Sequence, residues 1–269
     1  VNAQYNVGYI YSNGLGVPED GSQAARWYGM AAEQGDASAQ YNLALIHDYG
    51  RDVPVDDEEA ARLYRLAAEQ GHVKAQSNLG YMYDHGEGTA RDPASAVHWY
   101  GLAAEGGEVN AQYNLALIYD YGRDVPIDDA EAVRLYRLAA EQGHVNAQSN
   151  LGYMYDHGEG TAPDRAEAAY WYRLAAEGGE VNAQYNLAVL YDRGQGVPRN
   201  LAEAAYWYDK AARQNDPDAQ YNLGYMYATG EGVRPDRHKA YMWFHISSLS
   251  GDTDAASQRD RVGLGMAPV

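Results

Sequence analysis

The 269-residue chain is 46% apolar, enough to close a buried core, yet its longest apolar runs are a few residues, far short of the roughly 20 that a membrane-spanning helix needs. Thirty-eight acidic against twenty basic residues leave a net charge of −18, which repels nucleic-acid phosphates and anionic lipids, and no run of Lys or Arg supplies a basic face. With no cysteine there is no disulfide framework, thiolate zinc site or cysteine nucleophile, and the compartment (cytoplasm, periplasm or outside the cell) stays open.

The chain begins at Val1 on VNAQYN, a hexapeptide that returns at 109–114 and 181–186. It reads as an excerpt of a longer chain whose targeting segment, if any, lies elsewhere. The anchor AQxN recurs at Ala3, Ala39, Ala75, Ala111, Ala147, Ala183 and Ala219, always 36 residues apart. A fixed period of this length marks a stacked repeat architecture. The repeats are 3–38, 39–74, 75–110, 111–146, 147–182, 183–218 and 219–254, followed by a partial repeat, capping helix and tail at 255–269, the whole read as one solenoid over 1–269.

Each repeat opens on a helix, A. Counting Ala as position one, position five is Leu (Val7 in the first repeat), position six alternates Gly and Ala, and position nine is Tyr except at His47. Positions one, five, six and nine thus form a helical stripe, with Tyr83, Tyr155 and Tyr227 among its core members. Helix A is expected to stop at Gly14, Gly50, Gly86, Gly122, Gly158, Gly194 and Gly230, where glycine takes a left-handed cap cheaply.

After a short loop, Asp20, Asp56, Asp92, Asp128, Asp164, Asn200 and Asp236 are N-cap types for a second helix, B. Glu59, Glu131, Glu167 and Glu203, three residues on, predict a reciprocal capping box. Helix B carries an apolar stripe such as Ala168, Trp171, Tyr172, Ala175 and Ala176, with Tyr100 and Tyr208 at the Tyr172 position. It ends at the glycines from Gly35 to Gly179, then at Asn215 and Gly251. Neither helix can bury its stripe alone. Stacking on the next pair does so, which predicts an all-α solenoid.

A longer period overlies the first. Residues 39–110 and 111–182 are identical at 61 of 72 positions, so one face is presented twice. That suits a repetitive or bivalent partner and a gene duplication equally well.

AQYNLGYMYATGEGVRPDRHKAYMWF (219–244) and NLGYMYDHGEGTAPDRAEAAYWYRLAAEGG (150–179) resemble the Sel-one-like repeat, a relative of the tetratricopeptide repeat, over residues 3 to about 254. Asp52 and Asp124 in place of the second loop glycine, Leu63 and Leu135 in place of Trp, and Ser247-Ser248 in place of paired alanines depart from its pattern. The resemblance implies a right-handed superhelix, helix A of an eighth repeat from Ala255 to roughly Gly263, and an adaptor role in protein complexes.

By the same resemblance, positions three, seven, ten and eleven of helix A line an inner wall. Position three is Tyr5, Tyr41, Tyr113, Tyr185 and Tyr221, broken by Ser77 and Ser149. Position seven is Tyr9, Tyr81, Tyr153 and Tyr225 alternating with Leu45, Leu117 and Val189. Position ten supplies Asp48, Asp84, Asp120, Asp156 and Asp192, and position eleven adds Tyr49, His85, Tyr121 and His157. Tyrosines give contact area at small entropic cost, and the carboxylates favour a basic peptide or protein segment. Packing of the tyrosines against neighbouring repeats is the competing use of the same residues.

Catalytic and metal chemistry find little support. Asp84, His85 and Glu87, and again Asp156, His157 and Glu159, flank a solvated helix end where His favours the dipole. The loop glycines Gly158 and Gly160 lack the spacing and flanking strand of a phosphate cradle. His98, His238 and His245 have no evident partner, and an active site needs an asymmetric constellation that copied residues do not make. The sequence therefore points to a non-enzymatic scaffold for a protein or peptide, without cofactor or metal. A binder of glycan or peptidoglycan fragments is the alternative, and a hydrolase-type enzyme the third reading. Val7 and Ile10 on the first helix form an apolar edge through which the chain could self-associate.

Overall fold

The computed structural model describes residues 1–264, which form fifteen helices and, among these residues, no strand. Two compact units divide the fold, Val1–Leu138 and Ala139 onward. The first holds α1 (Asn2–Asn13), α2 (Gly21–Ala32), α3 (Ala37–Tyr49), α4 (Asp57–Glu69), α5 (Val73–His85), α6 (Pro93–Glu105) and α7 (Val109–Tyr121). The division falls within α8 (Asp129–Glu141). The second unit holds α9 (Val145–His157), α10 (Arg165–Glu177), α11 (Val181–Arg193), α12 (Leu201–Arg213), α13 (Pro217–Thr229), α14 (Arg237–Ser248) and α15 (Thr253–Gly263). Within each unit every helix packs on the one before and the one after, giving an all-α solenoid of helix pairs. α15 begins the eighth repeat, with Ala255 buried; the expected tail at 265–269 lies outside the described residues.

The helix boundaries follow from the caps. Gly14, Gly50, Gly86, Gly122, Gly158, Gly194 and Gly230 all take the left-handed conformation that ends helix A, and the N–H of each bonds the carbonyl four residues back. Asp20, Asp56, Asp128 and Asp236 accept the N–H three residues on, as Asp92, Asp164 and Asn200 also do.

The expected capping box is not formed. Its Glu would return to the N-cap N–H, but that group is already used: Asp56 donates to His47 O at 3.1 Å and Asp164 to Tyr155 O at 2.8 Å. The same backbone bond closes helix A on helix B in all seven repeats, from Asp20 to Tyr11 through Asp236 to Tyr227. Glu59 and Glu131 are left to pair with Arg62 and Arg134 on their own helices.

The core stripe also differs from expectation. Position eight, not nine, is the fully buried one: Ile46, Met82, Ile118, Met154, Leu190 and Met226 are at most 4% exposed. Tyr155 is buried at position nine, whereas Tyr83 and Tyr227 are half-buried, lying under Arg65 and Lys239 respectively. Helix B behaves as its pattern indicates. Tyr28, Tyr64, Tyr100, Tyr136, Tyr172 and Tyr208 are buried, and Leu63 and Leu135 fill the Trp slot at 2% and 1% exposure. Ser247, in place of alanine, is fully buried and donates to Pro217 O.

Two polar devices tie repeat to repeat. The buried Gln of AQxN donates to the last alanine carbonyl of the preceding helix B: Gln40 to Ala32, Gln76 to Ala68, Gln112 to Ala104, Gln148 to Ala140, Gln184 to Ala176 and Gln220 to Ala212, at 3.1–3.2 Å. Helix A is capped by Asp36, His72, Glu108, His144, Glu180, Asp216 or Asp252, each accepting the N–H of the repeat's first alanine. The first device satisfies the buried Gln amide, on a carbonyl that also accepts a backbone N–H, as Ala68 O does from Gly71; the second satisfies a first-turn N–H that has no partner within its own helix.

Candidate functional site

Helix geometry turns positions three, seven and eleven to one side of helix A, because residues four apart lie one turn above another. Position seven is the most open: Tyr9, Tyr81, Tyr153 and Tyr225 are 41–47% exposed, while Leu45, Leu117 and Val189 are half-buried. Position eleven leaves Tyr49 and Tyr121 more than 60% exposed. His85 and His157 stack on Tyr81 and Tyr153 with ring centroids 4.0 Å apart, and each Nδ1 lies 3.0 Å from that tyrosine's carbonyl oxygen. This local pairing occupies the two histidines, and His85 Nδ1 also lies 4.0 Å from Asp84 Oδ2.

Position three is used twice over. Tyr5, Tyr41, Tyr113 and Tyr185 lean on the helix-B tyrosines Tyr28, Tyr64, Tyr136 and Tyr208, and Tyr221 leans on Phe244, with centroids 5.6–6.0 Å apart. These rings are half-buried by that packing, so the competing structural use holds for part of their surface. Ser77 and Ser149 are 7% exposed and donate to the helix-A caps Glu108 and Glu180 at 3.0 and 2.8 Å.

The position-ten carboxylates do not form a free ladder. Asp48 and Asp120 accept the hydroxyls of Tyr64 and Tyr136, each at 2.8 Å. Asp84 is buried, Asp156 pairs with Arg165, and Asp192 lies 3.9 Å from Arg199. Burial raises the Asp120 carboxyl above its ordinary value despite the stabilising Tyr136 hydroxyl, since desolvation disfavours the charged form.

Within the first unit, five predicted residues (Tyr41, Asp48, Tyr49, Ser77 and Tyr81) share one open cavity of about 560 Å³. It is completed by Tyr64, Lys74, Asn78, Met82, Glu87, Glu108, Asn110 and Asn114, which sequence reasoning did not place there. Asn78 and Asn114 stand at position four of their repeats and were visible as AQxN, whereas Asn110 immediately precedes the anchor. Glu87 and Glu108 come from a loop and a cap, and only the fold brings them in.

Burial comes first and nearby negative charge second in raising the phenols here. Tyr41 is desolvated and lies near Tyr49, Glu108 and Asp48; Tyr81 is desolvated and lies near Glu87, Asp48 and Asp84. Asp48, Glu87 and Glu108 face a single cation, Lys74, and none of the three is held in an ion pair. The arrangement can accept a cation and offer aromatic faces.

A family model described as Sel1 repeat matches residues 1–36, 37–72, 73–108, 109–144, 145–180, 181–216 and 217–252, the same period framed two residues earlier. Among solved structures, a protective antigen of uropathogenic Escherichia coli displaying an SLR fold matches at a TM-score of 0.94 and 35% identity, over 99% of this chain and 57% of its own. A Sel1 repeat protein from Oxalobacter formigenes matches at 0.73 and 36% identity, over 97% of this chain and 75% of its own. The chain thus spans little more than half the E. coli protein. No curated protein matches.

Proposed function

This chain belongs to the Sel1-repeat family, whose members are generally scaffolds for protein–protein interaction, and from that premise we propose that it is a non-catalytic adaptor. It holds a protein or peptide segment carrying basic residues on the helix-A face. The observation that supports this reading most is the recurrence, at one position of alternate repeats, of tyrosines left 41–47% exposed, with Glu87, Asp48 and Asp84 near Tyr81. Exposed aromatics of this kind are favourable at interfaces because they bring large contact area with few rotors to fix. The net charge of −18 steers cationic segments toward the face and rejects acidic ones.

The test is an array of peptides of graded charge, probed with the intact chain and with a Tyr81→Ala/Tyr153→Ala variant. Basic peptides are retained, acidic ones are not, and retention weakens with added salt and in the variant, whose helicity and melting are unchanged. Equal retention of acidic and basic peptides, or retention indifferent to the two tyrosines, defeats the reading.

A further inference from the structure

The cavity lies where one repeat lacks a ring. In the second repeat Tyr41 covers Tyr64 and stacks on the cap His72 with centroids 4.5 Å apart. In the third, Ser77 stands at the same position and the cap is Glu108, whose carboxylate takes the serine hydroxyl. The two changes go together: Ser149 is likewise joined to a Glu cap, Glu180, whereas the tyrosine at position three is followed by a His or Asp cap in the other repeats. With serine in place of the ring, Ser77 borders a cavity of about 560 Å³, ample for a single long side chain and its neighbours.

The surfaces around that space have a definite chemistry. Tyr41 and Tyr81 line it together with the exposed Tyr49, and Met82 adds an apolar wall. Asp48 and Glu108 are hydrogen-bonded by neutral donors, the Tyr64 hydroxyl and the Ser77 hydroxyl, so their charge is oriented but not neutralised. Among the lining residues Lys74 is the one cation against three carboxylates, and Arg51 lies over the outer residue Tyr49, 5.8 Å from its ring centroid. Elsewhere the chain already lays guanidinium groups over tyrosine rings, Arg65 over Tyr83 at 5.7 Å and Arg173 over Tyr191 at 5.9 Å.

We propose that this cavity is a socket for one arginine side chain of the bound segment, its guanidinium plane against tyrosine and its N–H groups directed to Asp48, Glu87 and Glu108. A planar, weakly hydrated cation with five donors suits a site of spread carboxylates between aromatic faces better than the compact, strongly hydrated lysine ammonium. The inference rests on the scaffold reading and adds to it which residue type is read, and where.

The probe is a short acetylated Gly-Ser peptide with one central arginine, titrated into the full chain by NMR beside its citrulline and lysine counterparts. The neutral citrulline keeps the shape and loses the charge. The arginine peptide binds in the millimolar range, shifts signals of Tyr41, Ser77 and Tyr81, and binds at least about tenfold tighter than citrulline. In the Ser77→Tyr/Glu108→His variant, which writes the Tyr41–His72 pair into the third repeat, the cavity is filled and these shifts vanish. Because the second repeat already folds with that pair, loss of binding there is loss of the socket, checked by an unchanged melting curve. Citrulline binding as tightly, lysine binding as tightly, or a double variant that binds unchanged each overturns the proposal. If basic peptides still depend on Tyr81 and Tyr153 in the array while the arginine probe leaves Ser77 untouched, the socket falls and the scaffold reading stands.

Discussion

Asp52 reaches back one repeat to Gly21, its Oδ2 accepting the Gly21 N–H at 2.8 Å. Asp52 occupies the second loop-glycine position with a φ of 54°, and its carboxylate caps the first turn of α2, where an N–H has no partner in its own helix. The exchange is reciprocal. Where the loop residue is Gly88, a Cβ would fall 1.9 Å from Asp57 O; where the helix begins with Gly21, a Cβ there would fall 2.2 Å from Arg51 O. Each of these two contacts thus has a glycine on one of its sides.

Gly88→Ala and Gly21→Ala are therefore expected to destabilise the chain, by about 2 kcal/mol or more for Gly88, which combines the backbone clash with a positive φ. Asp52→Gly loses one hydrogen bond but relaxes the left-handed backbone, and stays within about 1 kcal/mol of the parent. Urea unfolding followed by circular dichroism ranks the three. A Gly88→Ala chain as stable as the parent contradicts the close approach.

The buried glutamines make a second prediction. Gln76 is 7% exposed and its amide is the donor that reaches Ala68 O. Gln76→Leu keeps most of the volume and removes one of two donors to that carbonyl, which retains the Gly71 N–H at 2.9 Å, at a cost of about 1 kcal/mol. Exposed Gln34→Leu, measured in the same way, changes stability much less.

The period, the all-α class and the glycine and Asp caps were legible because each depends on a single residue's own backbone preference, repeated seven times. The capping box failed for a reason no local pattern shows: the N–H of Asp56 had been taken by His47 O across the loop. Position eight was overlooked because Tyr at nine is larger and more regular than the mixed Ile, Met and Leu that the core selects. The helix-A caps were hidden by their variety, Asp, His and Glu at one position. In the candidate site, Tyr41, Ser77 and Tyr81 could be named from the spacing, whereas Glu87 and Glu108 reach the cavity from a loop and a cap that only tertiary packing aligns.

The Tyr64–Asp48 bond offers a separable test. Tyr64 has 0% exposure and its hydroxyl finds Asp48 at 2.8 Å; burial, then the Asp48 charge, push that phenol far above its ordinary range. Tyr64→Phe keeps the ring packing and is expected to cost about 1 kcal/mol. It also releases a carboxylate oxygen into the cavity, so arginine-peptide affinity rises or holds while stability falls. A fall in both in proportion would show that Tyr64 itself binds the ligand.

Histidine as a helix cap makes the fold sensitive to acid. His72 Nδ1 accepts the Ala75 N–H at 3.2 Å and His144 Nδ1 the Ala147 N–H at 3.1 Å, which a ring nitrogen can do only while it carries no proton. Burial first, and Lys74 in addition, lower the His72 pKa below 6.5. Between the folded and unfolded values the unfolded chain binds more protons, so stability rises with pH across that interval. The contribution is complete above the unfolded value and is lost as pH falls through the folded one. A His72→Asp/His144→Asp variant installs the cap already used at Asp36, a carboxylate whose ordinary value lies below that interval. Between about pH 7 and about pH 5 the parent's melting temperature is expected to drop by a few degrees more than the variant's. Parallel melting curves for the two proteins would mean that the cap tolerates protonation.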